Sequence, residues 1–495
     1  MTIAEIMPFS VLLPLIAGPL CAMLPGRRLP WLLCLVVAPA SLAIAGTTLA
    51  AAMDGPLQYA FGNWPPPIGI EYRVDAANAL VAVLLAGAAT VLLPWARRSV
   101  DHEVPERQGP FYALFLLAFA GLMGITLTGD VFNVFVFLEI SSLASYGLVA
   151  HGPDRRALLA AFRYLVMGTV GATFLLIGIG FLYIMTGTLN MADLANRLPE
   201  VYDTRTVQVA LAFIVLGLAL KLAMFPLHLW LPGAYSYAPS FVGAFLAATA
   251  TKVALYVLLR FIFTVFTPEY SFQALPLALV LTALALAGMF AASWSAIFQD
   301  NLKRLLAYSS IAQVGYMLVA VSLATAAGLT AAMLHIFNHG VMKAALFMAA
   351  GTIAYQAGGV RRRDVQGLGR QMPWTLTAFA LAGASLIGLP PTAGFISKWY
   401  LISALLEAGQ PWMVAPIVIT SLMALAYIVR VLENAWFQPR PSDAPSVHEA
   451  PLALLVPLWT MVGANFYFGL DTRLTVGSAK AAAQALMGGA PEVTP

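Results

Sequence analysis

The feature that most constrains this chain is a series of long apolar runs that follow one another along nearly all of its 495 residues. A helix needs roughly 20 mostly apolar residues to cross the hydrocarbon core of a bilayer. Hydrophobic residues make up 61% of the chain and charged residues 10%, whereas about 25% of the residues in a soluble protein are charged. The sequence therefore predicts a polytopic membrane protein.

Fourteen runs are long enough to be transmembrane helices. They extend over residues 8–25, 29–52, 75–96, 110–128, 131–150, 157–186, 206–232, 239–266, 272–298, 302–324, 328–356, 373–406, 411–437 and 450–470. Strands are not expected, because barrel strands alternate over about 10 residues while these runs are continuous. We predict an all-α protein with about 14 transmembrane helices in a single transmembrane domain, residues 1–495.

The basic residues of the loops support this count, because they concentrate on alternate loops. Fourteen lie in loops on one face and five on the other, counting the C-terminal tail. We name the first set the arginine-rich face; it comprises Arg27, Arg28, Arg97, Arg98, Arg107, Arg155, Arg156, Lys303, Arg304, Arg361, Arg362, Arg363, Arg370 and Arg440. The positive-inside rule places this face in the cytoplasm. Both termini are then expected on the external side of a bacterial inner membrane.

Charge and cysteine content exclude several classes of function. The net charge is +4 and no long basic run exists, so nucleic acid is not an expected partner. Cys21 and Cys34 lie in apolar stretches without a CxxC motif or a His/Cys cluster. Ligands for an iron–sulfur centre or a structural zinc ion are therefore missing, as is a disulfide framework, and no cofactor is expected.

Four ionisable residues lie near the middle of predicted spans: Glu139, Lys221, Lys252 and Lys398. A charge at this depth costs about 2.5 to 3.5 kcal/mol on insertion scales, so it marks a cavity, a partner or a function. The set contains three lysines and only one carboxylate, so ion pairs between its members cannot neutralise all three lysines. A lysine buried in an apolar medium can lose its proton near neutral pH. These residues predict proton transfer; the alternative is an ion pair that fixes the register of the helices.

Three arginines lie closer to the ends of their spans. They are Arg163, Arg260 and Arg430. Long basic side chains near a helix end reach the interface with their charged groups while their stems stay in the apolar layer. We expect this behaviour of all three and do not assign them to the site.

The eleventh span carries His335, His339 and Lys343 at intervals of four residues, which places them on one helix face. The two histidines have the spacing of metal ligands, but no HExxH motif or third ligand accompanies them. A structural hydrogen-bonding role is also open. A proton relay is favoured, because neutral imidazole both accepts and donates a proton. His228, just after Pro226, has the same alternatives.

Two spans contain proline where a transmembrane helix should be continuous. Pro226 follows Lys221 in the seventh span, and Pro390 and Pro391 precede Lys398 in the twelfth. Lipid cannot satisfy the backbone groups that proline frees, so such breaks line a cavity. Interrupted helices at corresponding places in two halves are typical of inverted-repeat transporters. We predict two inverted five-helix repeats, 110–266 and 272–437, each with a broken helix.

Five segments around these residues resemble a known family. They are GDVFNVFVFLEISSLASYGLVA, LKLAMFPLHLWLPGAY, QDNLKRLLAYSSIAQVGYM, HIFNHGVMKAALFMAAG and GLPPTAGFISKWY. They are similar to the proton-conducting antiporter-like subunits shared by respiratory complex I, membrane-bound hydrogenases and Mrp-type multisubunit cation/proton antiporters. The resemblance extends from about residue 75 to 437 and is greatest for the D-type subunits of Mrp antiporters. One departure concerns Gly233, Ala234 and Tyr235, where many complex I relatives have Asp-Ala-His.

The resemblance implies a 14-helix fold and a row of protonatable residues across the membrane plane. Glu139 matches the family's glutamate in span 5, Lys221 the lysine that pairs with it, and Lys252 the connecting lysine. Lys398 matches the terminal residue of the row. The same resemblance adds His335 and His339, which match the histidine-bearing region of span 11.

Three functions follow from these observations. The leading hypothesis is a proton-translocating subunit of a multisubunit Na⁺/H⁺-type antiporter, which implies further membrane subunits and a monovalent cation as partners. The alternative is a proton-pumping subunit of a complex I-like oxidoreductase or a membrane-bound hydrogenase. A structural scaffold, the third, requires that Lys221 and Lys398 tolerate leucine. Under the leading hypothesis the chain is a transporter subunit and not an enzyme.

Overall fold

Helices form nearly all of the protein in the computed structural model, which describes residues 2–488. In chain order they are α1 (Ile3–Ile6), α2 (Phe9–Met23), α3 (Arg28–Ala52), α4 (Ala76–Glu103), α5 (Gln108–Leu127), α6 (Val131–Ala150), α7 (Arg156–Thr186), α8 (Met191–Arg197), α9 (Arg205–Leu222), α10 (Leu231–Tyr237), α11 (Ser240–Leu259), α12 (Pro268–Ala274), α13 (Leu277–Ile297), α14 (Leu302–Ser322), α15 (Ala326–Ala357), α16 (Arg362–Val365), α17 (Pro373–Ile387), α18 (Ala393–Glu407), α19 (Val414–Trp436), α20 (Leu452–Leu470) and α21 (Arg473–Leu486). A π-helical turn, Arg260–Val265, continues α11.

Each of the fourteen predicted spans coincides with a helix or with a pair of helices. Within residues 2–488, twelve helices are individually long and apolar enough to cross a membrane. The two other predicted spans are α15, which is 32 residues long, and the pair α17 and α18. The chain is a polytopic all-helical membrane protein, as predicted.

Two elements differ from the sequence prediction. Strands β1 (Leu57–Ala60) and β2 (Glu71–Val74) pair antiparallel in the loop between α3 and α4. They lie outside the spans, where alternation had not been considered. The C-terminal tail forms the amphipathic helix α21, which packs its apolar face on α4 and α15. Its buried residues, Val476, Ala479 and Ala483, recur at the spacing of one helix face.

A pair of backbone hydrogen bonds occurs twice along the chain. Val131 N–H donates to Leu189 C=O at the start of α6, and Leu302 N–H donates to Val360 C=O at the start of α14. Each residue of the second bond follows its counterpart by the same 171 residues. Asp130 and Asn301 cap the two helices through their side chains. This recurrence supports the repeats 110–266 and 272–437, which stay a prediction.

Two spans are interrupted at the prolines named above. Helix α9 ends where Ala223 adopts a left-handed φ of 57°, and Pro226 lies in the segment before α10. Helix α17 ends at Gly388, with a left-handed φ of 92°, and Pro390 and Pro391 precede α18. Backbone N–H groups satisfy part of the carbonyl groups freed at the two breaks, as Ala223 N–H does for Leu220 C=O, and side-chain donors can satisfy others.

Side chains contribute donors at both breaks. Trp230 Nε1–H donates to the Leu220 carbonyl at 2.9 Å. In the second broken helix, Lys398 Nζ donates to the carbonyls of Leu386 and Ile387 at 3.1 and 2.8 Å. A lysine of the candidate site thus satisfies the backbone of its own broken helix.

Candidate proton-transfer site

Glu139 and Lys221 face each other across α6 and α9. Glu139 is nine residues after Asp130, about 13 Å into the helix at the usual rise. Lys221 Nζ lies 3.8 Å from Glu139 Oε1, which is within ion-pair range but beyond hydrogen-bond distance. The amine instead donates to Ser142 Oγ at 2.8 Å and to Tyr146 Oη at 3.4 Å. Within the described residues, Glu139 Oε1 is buried and accepts no hydrogen bond.

A small cavity of about 40 Å³ connects Lys221 with the neighbouring helix α11. Lys221 and the hydroxyl-bearing residues Ser141, Ser142, Ser145 and Tyr164 line one part of it. Apolar residues of α11 line another part, and these are Ala250, Val253, Ala254 and Val257. A cavity of roughly 10 to 15 Å³ already accommodates one water molecule where polar partners exist. This space can therefore hold water between Lys221 and the helix that carries Lys252.

Lys252 is completely buried on α11, with 0% of its surface exposed. Its Nζ donates to the carbonyl of Ala247 on the same helix. Within residues 2–488 it forms no ion pair with a carboxylate. Its charge acts on His335 and His339 of α15, so Lys252 is electrostatically connected to the next members of the row.

His335 has a hydrogen-bond partner on each ring nitrogen. Nε2 lies 2.9 Å from Gln313 Oε1, and Nδ1 lies 2.7 Å from Ser397 Oγ. With the Gln313 oxygen facing it, Nε2 carries the proton and Nδ1 accepts the hydroxyl of Ser397. Ser397 directly precedes Lys398, so this network reaches the end of the row.

His339 stacks parallel to His335, with the ring centroids 5.8 Å apart. Both of its ring nitrogens are buried and have no hydrogen-bond partner in the described part of the chain. Across residues 2–488, no group of three or more His, Cys, Asp or Glu side chains is placed to hold a metal ion. The free nitrogens can accept and release a proton, whereas a metal would require further ligands.

Lys398 closes the row beside the second helix break. In addition to the two carbonyls of α17, Nζ donates to Ser421 Oγ at 2.9 Å. It also lies 4.7 Å from the ring centroid of Tyr316, a cation–π distance. These neutral partners can hold the amine in its charged or its neutral form.

One face of α14 contacts the titratable residues of the second half in succession. Lys343 Nζ donates to the Leu306 carbonyl at 2.7 Å and to Ser309 Oγ at 2.5 Å. Gln313 and Tyr316, further along the same helix face, contact His335 and Lys398 as described above. The helix thus presents polar groups at nearly every turn between its contacts with Lys343 and with Lys398.

The structure corrects the expectation for one arginine. Arg260 does not reach the interface: it is buried, and its Nη2 lies 2.5 Å from Asp75 Oδ1. Asp75 is 185 residues away in sequence, so no local pattern indicated this pair. Arg163 is exposed at the surface. Arg430 Nη1 donates to the carbonyl of Ile297.

Several site residues were missed or set aside in the sequence analysis. His228 lies apart from the hydrogen-bonded groups above, with its ring 5.3 Å from that of Phe225. Lys343 was recognised as part of a polar stripe but not assigned to the site. The sequence also did not predict the neutral hydrogen-bond partners of the row, because an uncharged side chain does not stand out in an apolar span. These partners are Ser142, Tyr146, Gln313, Ser397 and Ser421.

Comparison with known proteins gives a consistent result at three levels. The NADH:quinone oxidoreductase/Mrp antiporter transmembrane family matches residues 128–424. NADH-quinone oxidoreductase subunit N of Desulforudis audaxviator is 43% identical over 464 residues, which is 90% of this chain and 92% of that protein. The D-type Na(+)/H(+) antiporter subunit of Alkalihalophilus pseudofirmus is 30% identical over 82% of each chain.

A solved structure matches the whole fold. A chain of the Mrp complex from Dietzia sp. DQ12-45-1b superposes with a TM-score of 0.91 at 27% identity, covering 98% of both chains. The resemblance noted in the sequence is confirmed and includes both the antiporter and the oxidoreductase branches. The buried lysines and histidines described above lie inside the matched segment, and the chain belongs to the NADH:quinone oxidoreductase/Mrp antiporter family.

Proposed function

We propose that this chain is the proton-translocating subunit of a multisubunit monovalent cation/proton antiporter. Protons move along the row formed by Glu139, Lys221, Lys252, His335, His339 and Lys398. The observation that carries the proposal is the arrangement of the basic groups: the charges of the buried Lys252 and Lys398 act on the two buried histidines, and one carboxylate, Glu139, lies beside Lys221. A buried charge without a partner is costly to maintain and is retained where its protonation changes.

The contacts of Lys221 suggest how charge is passed to the row. When Glu139 is ionised, it favours the charged form of Lys221, because an opposite charge within about 4 to 6 Å stabilises an ammonium group. The amine also has neutral acceptors in Ser142 and Tyr146. A proton bound at Glu139 removes the attraction, and Lys221 can release its proton through the adjoining cavity toward Lys252.

The histidines continue this transfer toward Lys398. A proton that reaches His335 makes the imidazole cationic, and the ring can then release a proton from Nδ1 through the Ser397 hydroxyl toward Lys398. His339, with both nitrogens unpartnered, can exchange protons with His335 and Lys252. Lys398 is the terminal donor and acceptor in this scheme.

The proposal extends to partners and location. The superposed chain belongs to a complex, which supports assembly with further membrane subunits. The relative from Alkalihalophilus pseudofirmus is named a Na(+)/H(+) antiporter subunit, which supports a monovalent cation such as Na⁺ as the exchanged ion. We place the chain in a bacterial inner membrane with the arginine-rich face in the cytoplasm and both termini outside.

A substitution of Glu139 tests this function. In everted membrane vesicles that contain the full complex, Glu139→Gln should abolish cation-dependent proton flux while the complex still assembles. Asp471→Asn, at an exposed carboxylate that pairs with Arg473, serves as the control. Flux equal to wild type in Glu139→Gln would show that the carboxylate is not part of the path.

One observation favours a second function. The 43% identity to NADH-quinone oxidoreductase subunit N exceeds the 30% identity to the antiporter subunit. In that case the chain is the proton-pumping subunit of a complex I-like or hydrogenase-like complex whose partner subunits hold the electron carriers. Purification of the native complex distinguishes the two functions. Flavin and iron–sulfur absorbance in the detergent complex would support the redox function, and their absence would support the antiporter.

A further inference from the structure

A cavity of about 480 Å³ opens at the arginine-rich face. Loops and helix ends from several parts of the chain form its wall, and each belongs to the face that the basic residues identify. Its charged and titratable groups are His102, Glu103, Asp154, Arg156, Tyr237, Lys303, Arg361 and Asp364. No residue of the proton row described above lines this cavity. The cavity is therefore separate from the proton row and has no role in the mechanism proposed above.

Two of the cavity residues, Glu103 and Lys303, are joined by hydrogen bonds to Ser240, which lies behind the cavity wall. Glu103, the last residue of α4, accepts the Ser240 N–H on Oε2 and the Ser240 hydroxyl on Oε1, both at 2.5 Å. Lys303 Nζ donates to the same hydroxyl oxygen at 2.7 Å. Ser240 and Lys303 are buried, while Glu103 is partly exposed. The hydrogen bonds thus connect the carboxylate of Glu103, at the cavity, with the buried amine of Lys303.

This group leads to the buried row through α14. Lys303 lies one helical turn before Leu306, a rise of about 4.5 Å. The Leu306 carbonyl and Ser309 Oγ both accept hydrogen bonds from Lys343, and the charge of Lys252 acts on Lys343. Lys303 and the two acceptors of Lys343 therefore lie within two turns of each other on α14, which places the cavity group close in sequence to the contacts of Lys343.

We propose that Glu103 is the group through which the buried row exchanges protons with water at the arginine-rich face, with Ser240 and Lys303 as the relay; this rests on the proposed function. Lys303 passes its proton to a neutral Lys343 and becomes a neutral amine. The Ser240 hydroxyl proton moves to that amine, and protonated Glu103 returns a proton to Ser240 Oγ. Glu103, now a carboxylate, takes a proton from the cavity water, so each group regains its starting state.

A purely structural role makes a different prediction for the same contacts. A carboxylate at the start of α11 interacts favourably with the helix N-terminus and with the nearby ammonium group. For capping, glutamine supplies an acceptor oxygen as well. For proton exchange, glutamine cannot substitute, whereas aspartate can. The two roles therefore separate in the behaviour of Glu103→Gln and Glu103→Asp.

The experiment measures proton flux in everted vesicles that contain the full complex. Glu103→Gln should lower the flux at least tenfold, with the amount of assembled complex and its thermal midpoint unchanged, and Glu103→Asp should retain a large part of the flux. Asp154→Asn is the matched control on the same cavity wall. Hydrogen bonds from the Arg156 guanidinium hold the pKa of Asp154 at about 2, so this carboxylate stays ionised near neutral pH.

Two further variants complete the test. Ser240→Ala keeps the carboxylate and the backbone cap but removes the hydroxyl, and it should also lower the flux, even if Glu103→Gln fails to assemble. Wild-type flux in Glu103→Gln or in Ser240→Ala would overturn the inference. Glu139→Gln is measured in parallel. If it blocks flux while Glu103→Gln does not, the proposed function stands and the uptake role of Glu103 fails; if neither does, the proposed function fails first.

Discussion

The Lys221 amine is 1.0 Å closer to the hydroxyl of Ser142 than to the carboxylate of Glu139, at 2.8 and 3.8 Å respectively. Two unit charges 4 Å apart interact by roughly 4 kcal/mol at an effective dielectric constant of 20. The attraction is strong enough to govern protonation, yet the geometry leaves the amine hydrogen-bonded to neutral partners. Lys221 can therefore change its protonation state without first breaking a tight ion pair.

Ser142 tests this interpretation. Removing its hydroxyl in Ser142→Ala leaves the amine to turn toward Glu139, which strengthens the ion pair and slows release of the proton. A hydrogen bond of this kind contributes about 1 kcal/mol, so we expect proton flux in vesicles to fall about fivefold. Ser142→Thr keeps a hydroxyl at the position and should keep most of the flux. Equal flux in the alanine and wild-type proteins would contradict the role of this contact.

Gly168 on α7 keeps room for Tyr146, the second neutral partner of Lys221. A Cβ atom at Gly168 would lie 1.9 Å from Tyr146 Oη, so Gly168→Ala must displace the tyrosine. We expect lower proton flux and a lower thermal midpoint in detergent. Gly180→Ala, on the same helix with no atom within 4 Å of the new Cβ, is the control. Because alanine favours helix over glycine by about 1 kcal/mol, that variant should be at least as stable as wild type.

The pair of Asp75 and Arg260 is expected to stabilise the fold and not to carry protons, because guanidinium does not deprotonate. Asp75→Asn keeps the oxygen that caps α4 through Ala77 N–H but leaves the arginine buried without a counter-charge. Loss of one partner of a buried pair costs about 3 to 5 kcal/mol, which thermal unfolding of the purified protein would detect. The pair of Asp471 and Arg473 at the surface serves as the comparison. Asp471→Asn should leave the thermal midpoint of unfolding unchanged. An unchanged midpoint in Asp75→Asn would show that the pair is not stabilising.

Hydropathy indicated the spans and the titratable residues because both can be recognised from the local sequence, without knowledge of which helices pack together. A lysine in the middle of an apolar run is conspicuous whatever surrounds it, which is why Lys252 and Lys398 were found. Gln313 is the contrasting case, because a neutral amide is tolerated in a span and its partner His335 lies on another helix. Asp75 likewise could not be paired with Arg260, since only the folded chain brings them together.

The C-terminal helix α21 has a periodic sequence pattern that predicts one buried helix face. Val476, Ala479, Ala483 and Leu486 are spaced by three or four residues, the pattern of one helix face. Their tail was interpreted from its length after the last span, not from its periodicity. In contrast, the breaks near Pro226 and Pro390 were visible because proline acts locally on the helix that contains it.

Lys398→Arg tests the central claim most directly, that buried basic groups of the row bind and release protons. Arginine preserves the charge and can still donate to the carbonyls of Leu386 and Ile387, but it cannot deprotonate in a protein. Lys480→Arg, at an exposed position of α21, controls for the substitution itself, and Lys398→His keeps a titratable group. In vesicles with matched amounts of assembled complex, we predict no proton flux for Lys398→Arg and partial flux for Lys398→His. Full flux in Lys398→Arg would contradict proton transfer through this residue.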